Sequence, residues 1–141
     1  MQWADERAAL IEKAQRLLEP GGTWAFSDVL PASMPCHWLY RFFQQAWEND
    51  RARAWDAFQI FNAVREAGFQ VRLERRSVYQ LVELGTAEQI ASNREECPQL
   101  VNLPDEVYAA GLESLAQAVS QDGEESLIGS EFCLVEVVAT R

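Results

Sequence analysis

The phrase Pro20-Gly21-Gly22 separates a stretch with helical period from one with none, and this constrains the fold more than any other feature. Before it, Leu10, Ala14, Leu17 and Leu18 recur at the i, i+4, i+7, i+8 spacing of one helix face, and Trp3 extends the stripe a heptad earlier. Asp5 and Glu6 stand in the first turn, where the helix dipole favours acids. Pro20 cannot continue the helix, and Gly21-Gly22 offers the positive-φ positions of a tight exit. After it, Thr23 to Leu30 is nearly continuous apolar until Pro31. Such a run predicts a strand buried on both faces, as in a parallel sheet.

The rest of the chain repeats the alternation. Leu39, Phe42, Phe43, Ala46 and Trp47 fit a helical stripe that Pro35 precedes and Asn49-Asp50 breaks. Ala54, Phe58, Phe61 and Val64 predict a second helix over 54–66, capped at Gly68. Phe69, Val71 and Leu73 then alternate with polar residues as a strand does. The alternation fails at Arg75-Arg76, which predicts a twist or bulge there. Thr86 to Asn93 reads as a short helix, Asp105 to about Ser120 as a longer one, and Phe132 to Ala139 as a last strand. Strands alternating with helices argue for an α/β fold with a largely parallel sheet. The long connection before the last strand, about 84–122, is expected to be a helical insert covering a pocket.

With 141 residues the chain is expected to form a single domain over 1–141. Five Trp, seven Phe and three Tyr supply a core and exclude disorder. The net charge of −10 is uneven: residues 71–141 hold five basic and thirteen acidic side chains. Such a surface repels phosphate backbones and anionic membranes, so neither nucleic acid nor membrane is an expected partner. No stretch approaches the ~20 apolar residues of a membrane span. The polar start is unlike a signal peptide. Cys36, Cys97 and Cys133 are too scattered for a disulfide framework or a zinc site, so reduced thiols, a cytoplasmic location and no metal are expected.

Three phrases in order then resemble class I S-adenosylmethionine-dependent methyltransferases. Arg16-Leu17-Leu18-Glu19-Pro20-Gly21-Gly22-Thr23-Trp24-Ala25-Phe26-Ser27-Asp28 is similar to the helix–PGG–strand segment before and through that family's fifth strand, which often ends in Asp. Ala63-Val64-Arg65-Glu66-Ala67-Gly68-Phe69-Gln70-Val71 is similar to the LLxxAGF phrase that leads into the sixth strand. Gln2-Trp3-Ala4-Asp5 is like the QWxxD phrase after the fourth strand in the branch resembling the malonyl-carrier-protein and trans-aconitate methyltransferases. The last strand fits the antiparallel seventh. The resemblance implies the C-terminal half of a Rossmann-like methyltransferase fold: a small mixed sheet of two parallel strands plus an antiparallel last strand, with flanking helices. It also implies S-adenosylmethionine as cofactor, with Trp3 the one candidate contact. Yet none of the seven glycines forms the G-x-G of the family's cofactor loop, and its acidic ribose-binding residue has no counterpart here.

Candidate chemistry is sparse. His37, the single His, follows the first strand, where a base could act on a substrate hydroxyl or amine; the plain alternative is a packing His in a loop. Asp28 ends that strand at its carboxyl edge, where open α/β sheets bind ligands; the alternative is a turn cap. Trp38 and Tyr40, with Phe43 and Trp47, would line an apolar substrate site or pack in the core. Arg72, Arg75 and Arg76 read as a solvated strand face. Two functions follow. One is a methyltransferase, or part of one, contributing the substrate side and acting on a small molecule. The other is a non-catalytic methyltransferase-like binding or oligomerisation module that does not hold the cofactor alone. A second copy, or a partner chain completing the sheet, is expected in either case, because cutting off the family's fourth strand leaves the first strand's edge open.

Overall fold

The computed structural model describes residues 3–141. Gln2 lies outside the described residues, as does the Trp3 side chain, so the candidate cofactor contact has no described geometry. In chain order the elements are α1 (Trp3–Leu17), β1 (Thr23–Val29), α2 (Trp38–Phe42), α3 (Gln44–Arg53), α4 (Ala57–Glu66), β2 (Gln70–Glu83), α5 (Leu84–Ser92), α6 (Pro98–Val101), α7 (Asp105–Asp122) and β3 (Leu127–Thr140). They group into two compact units: Met1–Ser33 with Arg51–Ser77 and Cys133–Arg141, and Met34–Asp50 with Val78–Phe132. Among the described residues no helix is long and apolar enough to cross a membrane.

The sheet has the order β1-β3-β2; β1, Gln70–Ser77 of β2 and Cys133–Thr140 of β3 fall in the first unit, and the remainder of β2 and β3 in the second. β3 pairs antiparallel with β1, from Thr23 opposite Thr140 to Val29 opposite Leu134. The helix–strand alternation predicts a largely parallel sheet; the ladders are instead antiparallel, because the last strand inserts between the other two. Trp24, Phe26 and Asp28 share one face of β1 with the buried Val135, Val137 and Ala139 of β3. Trp24 stacks on Phe26 at 4.5 Å and meets Phe69 at 6.4 Å. Thr23, Ala25 and Ser27 on the other face are exposed, so β1 is not the doubly buried strand its composition predicts.

The predicted helix stop is present. Gly21 has φ +85°, its N–H donates to the Arg141 carbonyl at 2.7 Å, and the Arg141 N–H returns to the Gly22 carbonyl at 2.9 Å. A Cβ on Gly21 meets nothing within 4 Å, so its cost is conformational alone. Gly21→Val is therefore expected to destabilise the fold by about 1–2 kcal/mol, the cost of left-handed backbone for a residue with a Cβ. A thermal melt checks this; an unchanged midpoint would mean the exit turn does not need that conformation.

The second unit is built on α7. Leu115 is fully buried, Phe43 stacks on Tyr108 at 6.1 Å, and the Tyr108 hydroxyl donates to the Ala91 carbonyl at 2.8 Å. Arg94 lies over the Tyr108 ring at 4.6 Å and pairs with Asp105 at 2.6 Å. Two expectations are corrected along the chain. The helix predicted to break at Asn49-Asp50 runs on to Arg53, because Asn49 accepts from Gln45 at 3.0 Å and Asp50 is engaged in the interior. The strand expected to twist or bulge at Arg75-Arg76 extends well past them, to Glu83, with Arg76 paired to Glu136 at 3.0 Å.

Candidate functional site

Asp28 ends β1, as predicted, but its carboxylate is engaged. One oxygen pairs with the Arg7 guanidinium of α1, and the other accepts the Val29 N–H at 2.9 Å. Both partners of the pair are largely buried, so Arg7 fixes α1 against the end of the strand. Asp28 belongs to the first unit; His37, Trp38 and Tyr40 belong to the second, where they sit together.

His37 caps the one-and-a-half turns of α2. Its Nδ1 accepts the Leu39 N–H at 3.3 Å. The ring lies 5.6 Å from Tyr40, 5.9 Å from Trp38 and 6.3 Å from Phe132, centroid to centroid. Burial among these rings pulls its pKa below 6.5, so the neutral form holds at physiological pH. With Nδ1 accepting, the ring proton sits on Nε2, which makes that nitrogen a donor. Such a ring can hold a substrate oxygen; taking a proton through Nε2 would first require a change of tautomer.

Trp38 and Tyr40 are core residues. Both are buried, the Trp38 N–H donates to buried Ser130 Oγ at 2.9 Å, and the Tyr40 hydroxyl donates to Asp50 Oδ2 at 2.7 Å. Their rings back the His37 cap rather than line an open wall. The open groove beside them, about 430 Å³, is lined by Cys36, Arg41, Tyr79 to Leu81 and Gly129 to Glu131. The Arg41 guanidinium donates to the Gly129 carbonyl at 3.1 Å, joining two of the residues that line the groove. Cys36 and Arg41 border this groove on one side, and β2 and β3 on the other. The apolar run Val78 to Val82 was the sequence signal for that second side. Among the described residues no cluster of His, Cys, Asp or Glu is placed to hold a metal ion.

The glycines do not form a cofactor cradle. The three with positive φ, Gly21, Gly68 and Gly123, donate their N–H groups to the carbonyls of Arg141, Arg65 and Val119. Each ends a helix, with its donor already committed. Among the described residues, these three N–H groups are therefore not free to hold a cofactor.

No family model and no curated protein matches the sequence. Solved structures do match its fold. One from Anabaena variabilis, described as a "putative methyltransferase from antibiotic biosynthesis pathway", superposes with a TM-score of 0.60 at 18% identity over 92% of this chain. A second, described as a "putative methyltransferase" of Bacillus halodurans, gives 0.49 at 18% identity over 94%. The chain spans 59% and 57% of these two proteins. Its fold is thus a methyltransferase fold, an assignment that rests on the first superposition.

Proposed function

We propose that the chain is the substrate-side part of an S-adenosylmethionine-dependent methyltransferase acting on a small molecule. One observation carries the reading. β1 is hydrogen-bonded to β3 along one edge and to no described strand along the other, in a chain that shares a methyltransferase fold but spans 59% of the matching protein. An open edge at that place is what a sheet lacking its other half presents. Methyl transfer from a sulfonium is an in-line displacement, in which the protein chiefly positions the acceptor. In this reading the groove beside Cys36 and Arg41 receives the acceptor molecule. The His37 Nε2–H orients an oxygen on it, and Tyr79 and Leu81 shelter its apolar part. Asp28 acts by holding α1 through Arg7. The acidic surface favours a small, fairly apolar substrate over nucleic acid. The free thiols support a cytoplasmic location.

A second reading, a binding module without catalysis, draws on the committed glycine N–H groups. Calorimetric titration with S-adenosylmethionine tests the division of labour. The chain alone is expected to bind no tighter than about millimolar. Micromolar affinity would overturn the reading that another segment holds the cofactor. The two readings part at the coding sequence upstream of codon 1: a frame encoding G-x-G-x-G, whose longer product binds the cofactor, supports the enzyme, and its absence supports the module.

A further inference from the structure

The run Val78-Tyr79-Gln80-Leu81-Val82 lies in β2 and contributes little to the core. Tyr79 is 76% exposed, Leu81 68% and Val78 46%. β2 is an outer strand of the sheet, and exposed apolar edges recruit another chain. The run is symmetric about Gln80: an apolar residue, a larger one, glutamine, a larger one, an apolar residue. A strand that pairs with its own copy around a two-fold axis must be self-complementary, because residue i of one copy meets residue j of the other and j meets i.

We propose that two copies of the chain pair antiparallel through the outer edge of β2, about a two-fold axis at Gln80. This register sets Tyr79 opposite the partner's Leu81 and Val78 opposite the partner's Val82, each twice by symmetry. Cross-strand pairs of aromatic, aliphatic and β-branched side chains are the stabilising unit of a sheet. Charge agrees. Arg75 and Arg76 precede the run and Glu83 follows it, so antiparallel pairing sets Glu83 opposite the partner's Ser77, diagonal to the partner's Arg75. β2 carries three Arg and two Glu, so association there is not opposed by the net charge of −10 that burdens the rest of the surface. The open edge of β1 lacks this property. About its midpoint, Phe26, self-pairing sets Trp24 opposite Asp28.

The test is a charge swap read by light scattering at micromolar concentration. The unaltered chain is expected at twice its 16.0 kDa mass. Tyr79→Lys and Leu81→Glu each remove two apolar pairs per dimer and are expected to weaken association about tenfold or more. The double variant sets Lys opposite Glu at both symmetric positions, and is expected to recover to within about threefold of the unaltered chain. Both positions are exposed, so circular dichroism melts of all variants should agree. A monomeric unaltered chain, single variants that dimerise undiminished, or a double variant no tighter than the singles would each overturn the proposal. Tyr79 and Leu81 also line the groove assigned to the acceptor molecule, but the readouts are separate: mass and register decide the dimer, cofactor titration the methyltransferase reading.

Discussion

Replacing Gly111 with alanine is expected to lower the melting temperature by about 5–10 °C, the opposite of what the exchange does in an ordinary helix. Gly111 lies within α7, where alanine would normally gain up to about 1 kcal/mol of helix propensity. Here the added Cβ would fall 2.3 Å from two carbons of the Phe43 ring and 3.0 Å from the Phe42 carbonyl oxygen. Phe43 is almost wholly buried and stacked on Tyr108, so the ring has nowhere to swing. Overpacking of this kind costs about 1–3 kcal/mol or more, and we expect a net loss near 2 kcal/mol. Gly129→Ala is the control: a Cβ there meets nothing within 4 Å. If Gly111→Ala melted at or above the parent temperature, α7 would have to sit farther from Phe43 than described.

Tyr40→Phe should cost a similar amount for a different reason. The Tyr40 hydroxyl donates to Asp50 Oδ2 at 2.7 Å, and Asp50 is only 7% exposed. Removing the hydroxyl takes a hydrogen bond from a carboxylate that water barely reaches, at about 1–3 kcal/mol. The pair also predicts how stability responds to alkali. Burial first, then the hydrogen bond and charge of Asp50, hold the Tyr40 phenol well above its usual 10.0. Burial likewise raises the Cys97 thiol above 9.0. Both groups keep their protons in the fold and release them first in the unfolded chain. Their contribution is therefore intact below about pH 9 and declines as pH rises past 9.0 and then 10.0. Urea midpoints measured from pH 7 to 11 should show that fall. In Tyr40→Phe the segment above pH 10 should flatten while the thiol's share persists. An unchanged slope there would assign the alkaline loss to other groups.

Local signals in the sequence were read correctly where one residue type had one physical use. Pro20 and Gly21 lie three and four residues past the end of α1, and Gly68 likewise follows α4 with positive φ. What escaped was context. Asn49-Asp50 reads as a helix breaker until Tyr40 is seen ten residues away, donating to the Asp50 carboxylate. α4 starts at Ala57, after the N-cap Asp56, whose side chain and that of Gln59 form a reciprocal capping box, a two-residue signal that hydrophobic spacing alone does not weigh. β2 hid its second half because residues 74–81 are exposed on both faces, and a strand without a buried face has no alternation to show. The candidate site suffered the same way. His37 and its aromatic neighbours were visible as a cluster, but whether Trp38 and Tyr40 face a ligand or the interior depends on Ser130 and Asp50, and no spacing rule connects them.

The sheet order also fixes a sequence of events during synthesis. β3 lies between β1 and β2 yet is translated after both. Residue 29 leaves the ribosome 98 residues before residue 127, which at about 5–20 residues per second is roughly 5–20 s. Through that interval Trp24 and Phe26 lack β3 as a neighbour, and β2 lacks it over the final 44 residues, from Glu83 to Leu127. The nascent chain thus spends its most exposed period holding apolar, edge-forming segments that the last strand has yet to join. It is then that a chaperone, or premature pairing between neighbouring nascent chains, would compete with folding.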